Sequence, residues 1–306
     1  MKAEEAGLRA GPPAVVERIV EVDGIPMSAR CAEVDRPRAV VVAVHGGATT
    51  ARYFDLPGFP RLSLLRLGAR LGFTVLALDR PGYGASEPYG DAFDAPDRRA
   101  DATYRTIDAL LGAKPRGAGV FLMAHSAGCD LAVNMAADPR GSSLLGVELA
   151  GTGRRKHPEA LRRIDEVRRT RRSTAVRDLL WHPEAVYPPE LVGGRAVSSA
   201  SPPYESTVVR EWPADFPRLA PRIQVPVRFS YAEYEQVWRC DPEALAEITG
   251  FFTACPRFVT HRQPDTGHNI SVSYAAESYH RSVFSFVEDC MRGGPAGDRC
   301  AEEPTS

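Results

Sequence analysis

Short apolar runs of strand type alternate with helical patterns along this chain, and the alternation limits the folds open to it. Parallel strands need a crossover connection, usually a helix, and a parallel sheet is buried on both faces. We therefore predict an α/β fold with a mostly parallel central sheet flanked by helices. The predicted strands lie at residues 39–45, 73–78, 119–123, 145–150, 225–231 and 257–262. Helical patterns lie near residues 61–70, 98–112, 126–137, 241–252 and 275–291.

Two further regions complete the predicted organisation. Residues 15–22 and 27–34, separated by Asp23 and Gly24, predict a hairpin before the first parallel strand. The alternation fails between residues 152 and 220, and we expect a helical cap insertion there. The predicted parts are a core of residues 14–151 and 221–292, a cap or lid of residues 152–220, a flexible leader of residues 1–13 and a disordered tail of residues 293–306.

The segment at residues 120–128 is an apolar run that breaks at one hydroxyl, Ser126, and then becomes helical. A sharp strand-to-helix turn lifts a serine hydroxyl clear of a sheet, and small residues two positions to either side let the backbone reverse without a clash. Ala124 and Gly128 hold those positions. A serine between small residues is also an ordinary helix-capping residue, so this segment alone leaves both interpretations open.

The same segment resembles the nucleophile elbow of the α/β-hydrolase superfamily, G-x-S-x-G, with Ala124 in place of the first glycine. Residues 39–47, a strand-type run ending in a histidine and two glycines, resemble the oxyanion loop of that superfamily. Residues 73–86 resemble its D-x-x-G-x-G-x-S segment. The resemblance implies that the amides of Gly47 and Ala127 form an oxyanion hole. A plain strand-end turn is the alternative for residues 39–47.

The general base is expected late in the chain, because the superfamily order is serine, acid, histidine. Residues 257–264 predict the last strand and residues 265–271 the turn after it. Among seven histidines, His268 lies in that turn, where Gly267 would free the backbone. The resemblance therefore implies that His268 activates Ser126.

The acid is expected after the penultimate strand, residues 225–231. In an alignment with the strand-then-G-x-x-D pattern of the superfamily, Ala232 stands for the glycine and Glu235 for the aspartate. Glutamate is accepted in this role. Glu233 is the alternative acid and Asp241 a further candidate, while both glutamates could instead be solvated loop charges.

Charge and composition argue against several other classes of protein. The formal net charge is −1 at pH 7, which provides no overall attraction to nucleic acid, and no nucleic-acid motif is present. Six cysteines lack the spacing of a disulfide framework or a zinc site. We find neither a secretion signal nor a stretch of about 18 apolar residues. We expect a cytoplasmic protein that uses no cofactor or metal and binds neither nucleic acid nor membrane.

These matches together predict a serine hydrolase that cleaves a carboxylic ester or thioester of a small to medium organic substrate through an acyl-enzyme. The alternatives are an acyltransferase, a cyclase or a carbon–carbon bond lyase on the same fold, and a non-catalytic ligand-binding protein. We expect the cap to begin with a basic helix at residues 154–172, which could attract an acyl group carried by CoA or by a carrier protein. A solvated helix face with i,i+4 pairs such as Asp165 with Arg169 explains that run more simply.

Overall fold

The computed structural model describes residues 14–170 and 178–293. The predicted leader, residues 171–177 and the predicted tail after Gly293 lie outside the described residues. The strands are β1 (Val16–Val22), β2 (Ile25–Ala32), β3 (Val40–Val44), β4 (Thr74–Leu78), β5 (Val120–His125), β6 (Gly146–Ala150), β7 (Val227–Ala232) and β8 (Phe258–Gln263). The α-helices with assigned bounds are α1 (Leu64–Arg70), α2 (Pro96–Leu111), α3 (Gly128–Ala137), α4 (Pro158–Thr170), α5 (Glu205–Leu219), α6 (Pro242–Phe251) and α7 (Ala276–Arg292). Short 3-10 helices span Ala51–Phe54, Pro60–Leu62, Gly84–Phe93, Pro139–Ser143, Glu184–Val186, Ala220–Arg222 and Ile270–Val272.

One eight-stranded sheet has the order β1-β2-β4-β3-β5-β6-β7-β8. The first two pairings, β1 with β2 and β2 with β4, are antiparallel, and every later pairing is parallel. The predicted α/β fold and the hairpin are therefore confirmed. Because β3 to β8 run in the same direction, the loops that follow them meet at one edge of the sheet, where ligands bind in open α/β sheets.

Both faces of the sheet are covered, as continuous apolar strands require. In β3, Val40, Val42 and Val44 pack into a core shared with α2 and α3. Val41 and Ala43 point to the opposite face and pack with α1 and α7. The alternation follows from the two-residue period of a strand, and it fixes the sheet between two helical layers.

The segment between β6 and β7 holds α4 and α5 and, in its described residues, no strand of the sheet. The helix expected from residue 154 begins four residues later, at Pro158. Residues 155–157 instead pair with the loop after β7: Arg239 donates to the Arg155 carbonyl at 2.8 Å and His157 donates to the Val237 carbonyl at 3.0 Å. This pairing uses backbone groups that a helix would need, and proline is well suited to the first helical position that follows.

Candidate active site

Ser126 occupies the sharp turn between β5 and α3. Its φ is 53°, in the left-handed region that residues other than glycine rarely adopt. A Cβ atom at Gly128 would lie 2.4 Å from the His45 carbonyl oxygen and 2.7 Å from that of Val44. Only glycine fits there, so the close approach of β3 holds the backbone in its strained form.

The loop after β8 brings His268 to this turn. Its Nε2 lies 3.0 Å from Ser126 Oγ, while its Nδ1 lies 3.0 Å and 3.1 Å from the two carboxylate oxygens of Glu235. A carboxylate can only accept, so in the neutral imidazole Nδ1 carries the proton and Nε2 is left as an acceptor. The imidazole is thereby oriented to take a proton from the Ser126 hydroxyl.

The loop after β7 supplies Glu235, whose side chain is 2% exposed. Its carboxylate also accepts from the backbone N–H groups of Val237, at 2.7 Å, and Trp238, at 3.4 Å. Burial by itself would raise the pKa of Glu235. The charge of His268 and these hydrogen bonds outweigh that effect and hold the pKa below its usual value. Glu235 is therefore a carboxylate, as an orienting acid must be.

The other two candidate acids lie elsewhere. Glu233 pairs with Arg262 at 2.8 Å and accepts from the Asp265 N–H at 2.9 Å. Asp241 caps the start of α6, where it accepts from the Ala244 N–H at 3.1 Å. Neither carboxylate is within hydrogen-bond distance of His268 among the described residues.

The two amides expected to bind an oxyanion flank Ser126. A Cβ atom at Gly46 would lie 3.1 Å from the Ser126 Cβ, and one at Gly47 would lie 3.6 Å from the Ala127 Cβ. Within the described ranges, the N–H groups of Gly47 and Ala127 have no protein acceptor. Both residues are half-buried. Two unpaired donors beside a serine hydroxyl can together hold an oxygen that acquires negative charge.

A buried ion pair holds the loop that contains Gly46 and Gly47. The Arg80 Nη2 atom donates to the Gly46 carbonyl and to the Glu205 carboxylate, each at 3.0 Å. The Tyr83 hydroxyl donates to the same carboxylate at 2.8 Å and accepts from the Ala48 N–H at 3.2 Å. Because Glu205 begins α5, the network ties the oxyanion loop to the segment between β6 and β7. Sequence reasoning missed it, although Arg80 and Tyr83 lie in the recognised segment 73–86.

A second buried histidine holds the backbone of His268. His125 Nε2 lies 2.9 Å from the His268 carbonyl oxygen, and its ring stacks on Tyr53 with centroids 4.6 Å apart. Burial first, and then the neighbouring His268, lower the pKa of His125 to about 3. The ring is therefore neutral, and its Nε2–H donates to that carbonyl. The sequence offered no signal for this role beyond the position of His125 next to Ser126.

A pocket of about 80 Å³ opens beside the serine. Its walls come from the elbow, the segment between β6 and β7 and the loop after β7. They are formed by Ser126, Ala127, Asp130, Thr152, Lys156, Val208, Val209, Trp212, Val237 and Trp238. Mostly apolar walls with a few polar groups are typical of a substrate pocket. Sequence reasoning included Lys156 in the basic run at residues 154–172 that could attract an anionic acyl carrier, but it did not single out Asp130 or Trp238.

Within the described ranges, no three His, Cys, Asp or Glu side chains are grouped closely enough to hold a metal ion. The described cysteines, Cys31, Cys129, Cys240, Cys255 and Cys290, are all free thiols. None of the helices in the same ranges has the length and apolar character needed to span a membrane.

A family model described as "Alpha/beta hydrolase family" matches residues 41–280. This match covers most of the chain and includes Ser126, Glu235 and His268. The chain belongs to the alpha/beta hydrolase family. A search of curated proteins found no relative similar in sequence.

Solved structures of the same fold include enzymes with several names. The chain is 18% identical to an E-2-(acetamidomethylene)succinate hydrolase, with a TM-score of 0.64 over 90% of this chain and 100% of that one. It is 18% identical to the thioesterase domain from a curacin biosynthetic pathway, with a TM-score of 0.61 over 90% and 99%. It is 17% identical to a thermostable carboxyl esterase from Bacillus coagulans, with a TM-score of 0.64 over 91% and 99%. At these identities the likeness shows the fold.

Proposed function

We propose that this member of the alpha/beta hydrolase family is a serine hydrolase that cleaves a carboxylic ester or thioester through an acyl-enzyme. The observation that carries the proposal is the hydrogen-bonded series from Ser126 Oγ to His268 Nε2, at 3.0 Å, and from His268 Nδ1 to Glu235, at 3.0 Å. A serine hydroxyl is a weak nucleophile at neutral pH and needs such a base. The base in turn needs a partner that fixes its tautomer.

In the first half-reaction, Ser126 Oγ attacks the carbonyl carbon while its proton moves to His268 Nε2. The imidazolium that forms is stabilised by the buried carboxylate of Glu235. The carbonyl oxygen becomes an oxyanion, which the N–H groups of Gly47 and Ala127 bind. The tetrahedral intermediate then breaks its bond to the alcohol or thiol, which leaves with the proton from Nε2.

In the second half-reaction, water replaces the leaving group. His268 takes a proton from the water as it attacks the acyl-enzyme, and the same amides stabilise the second oxyanion. When that intermediate collapses, Ser126 Oγ recovers the proton and the carboxylic acid is released. The walls provided by Trp212 and Trp238 lower the water content around these charges, which strengthens each electrostatic contact.

The decisive experiment labels the protein with a fluorophosphonate and measures hydrolysis of short p-nitrophenyl esters. We expect Ser126→Ala to abolish labelling and to reduce turnover on the order of 10⁴-fold or more. Ser142→Ala is the matched control, because Ser142 is an exposed serine between α3 and β6. It should be labelled and turn over like the unmodified protein. Undiminished ester turnover by Ser126→Ala would refute the proposal.

Product analysis separates hydrolysis from acyl transfer. The acyl-enzyme can be attacked by an alcohol or an amine as well as by water, and the same catalytic residues would serve either acceptor. We expect free acid to be the main product in a mixture of water and acceptor. A preference for the acylated acceptor would reassign the protein as a transferase and leave the role of Ser126 intact.

A further inference from the structure

A lysine reaches into the pocket beside Ser126. Residue 156 pairs with residue 238 through an isolated β-bridge, which sets Lys156 against Trp238. The Lys156 Nζ atom lies 3.3 Å from the centroid of the Trp238 ring, and both residues line the pocket with Ser126 and Ala127. The position of the ammonium is thus defined by backbone pairing and by the aromatic ring beneath it.

This ammonium has no anionic partner among the described residues. Nearby arginines are paired: Arg155 contacts Glu243 at 3.1 Å, and Arg154 contacts Glu247. Partial burial in the pocket lowers the pKa of Lys156 to about 8, against a smaller opposing effect of Glu235. Burying a cation that has no counter-charge costs stability, so its position beside the candidate nucleophile points to an anionic ligand.

A second unpaired group lies in the same wall. The indole Nε1 of Trp238 is buried, and the described residues offer it no acceptor. A buried tryptophan N–H usually has a hydrogen-bond partner. Because Lys156 sits over this same ring, an ammonium and an N–H donor lie close together, and neither has an acceptor in the part of the chain that the structure describes.

The carboxylates near Lys156 are already engaged. Asp130 lines the same pocket, but Arg99 lies 3.5 Å from it and Asn134 donates to it at 3.2 Å. Glu235 accepts from His268 and from two backbone N–H groups. Neither of these two carboxylates supplies Lys156 with an ionic partner. The pocket is therefore suited to an acceptor group that is part of the substrate.

We infer that the pocket receives a short acyl group ending in a carboxylate, which Lys156 binds with the Trp238 N–H as a neighbouring donor. This inference rests on the proposed hydrolase function and names its substrate class. The acyl part is favoured over the alcohol because it stays attached to Ser126 after the leaving group departs, and a walled pocket suits the part that stays. A volume of about 80 Å³ favours a short chain.

The first test compares monomethyl glutarate with methyl pentanoate, two methyl esters that differ mainly in the terminal carboxylate, by methanol release. We expect kcat/KM for the charged ester to be at least about tenfold higher, as a hydrogen bond between charged groups can provide. In Lys156→Met this ratio should fall towards one. Arg155→Met removes a neighbouring positive charge outside the pocket and should keep the original ratio. A lysine that only supported the fold would lower both rates together and leave the ratio unchanged.

The second test measures binding without turnover. Glutarate is titrated calorimetrically into Ser126→Ala protein and into the Ser126→Ala, Lys156→Met double variant. We expect saturable binding that weakens at least about tenfold in the double variant.

The outcomes of these tests distinguish the carboxylate site at Lys156 from the proposed hydrolase function. Equal hydrolysis of both esters would overturn the carboxylate site and leave the esterase function standing. If neither ester is hydrolysed and Ser126 is not labelled, while glutarate binding still depends on Lys156, the carboxylate site is supported and the hydrolase proposal fails. If glutarate does not bind to Ser126→Ala protein, the carboxylate site is wrong whatever the turnover.

Discussion

The Oε2 atom of Glu235 lies 3.0 Å from Nδ1 of His268, although 33 positions separate the two residues in the chain. Glu233, two residues earlier, is half-buried and pairs with Arg262 instead. Alternate residues in a strand share a face, but this loop turns after Ala232 and separates the two carboxylates. The turn is closed by hydrogen bonds from the Val237 and Trp238 amides to Glu235 itself.

We therefore expect Glu235→Gln to lower kcat on the order of 10³- to 10⁴-fold, because an amide can present an N–H to His268 and select the wrong tautomer. Glu233→Gln is the matched control, since it removes the same charge from a half-buried side chain that pairs with Arg262 and does not contact His268. It should keep kcat within about twofold. Steady-state ester hydrolysis checks both variants. Equal losses, or a larger loss in Glu233→Gln, would remove Glu235 from the mechanism.

The glycine after the elbow should be irreplaceable for packing reasons. A Cβ atom at Gly128 would lie 2.4 Å from a backbone oxygen that cannot move away without shifting β3. We expect Gly128→Ala to lower the free energy of unfolding in urea by about 1–3 kcal/mol. Gly250→Ala, where nothing lies within 4 Å of the added atom, should be neutral or stabilising by up to about 1 kcal/mol. A Gly128→Ala protein as stable as the control would contradict the close approach.

Removal of the partner of Arg80 should cost more than removal of a surface charge. The Arg80 and Glu205 side chains are 2% and 10% exposed. Glu205→Gln leaves a buried guanidinium without its counter-charge, and we expect a loss of about 3–5 kcal/mol in unfolding free energy. Glu211→Gln on the exposed side of α5 should change stability by less than about 0.5 kcal/mol. Arg80 also donates to the Gly46 carbonyl, so we expect a lower kcat for Glu205→Gln, measured at temperatures where the variant stays folded. Unchanged stability and unchanged kcat would show that the ion pair is dispensable.

The preference for a carboxylate-bearing ester should depend on pH through Lys156. Its pKa falls from 10.5 to about 8, so the ammonium is present below pH 8 and lost above it. Among the described residues, the charged or polar groups around it are Glu235, Ser126, Thr152, Trp238, and Asp130 paired with Arg99. We expect the ratio of kcat/KM for monomethyl glutarate over methyl pentanoate to decline between about pH 7 and about pH 9. Taking the ratio cancels any titration that affects both substrates, such as that of the general base. A ratio that holds constant to about pH 10 would assign the preference to another group.

Local pattern accounts for the part of the fold that could be predicted. A run such as residues 119–123 is apolar on both faces because a parallel strand is buried on both faces, so strand positions can be read along the chain. The small residues around Ser126 mark the sharp turn, and this signal lies within a few residues of the sequence. The start of α4 was placed too early, because the pairing of residues 155–157 with the loop after β7 depends on residues about 80 positions away.

The sequence by itself determined the sheet with its helical layers, the position of the sharp turn at Ser126 and the order in which candidate residues follow one another. Only the tertiary structure decided which glutamate lies beside His268 and that Arg80 pairs with Glu205 across 125 positions. It also decided that Lys156 lies over Trp238 near the serine, with no anionic partner among the residues described. The reason is physical: strand and turn preferences act over a few residues. The direction of a loop side chain is set by contacts with distant segments, which exist only after the sheet has brought those loops to the same edge.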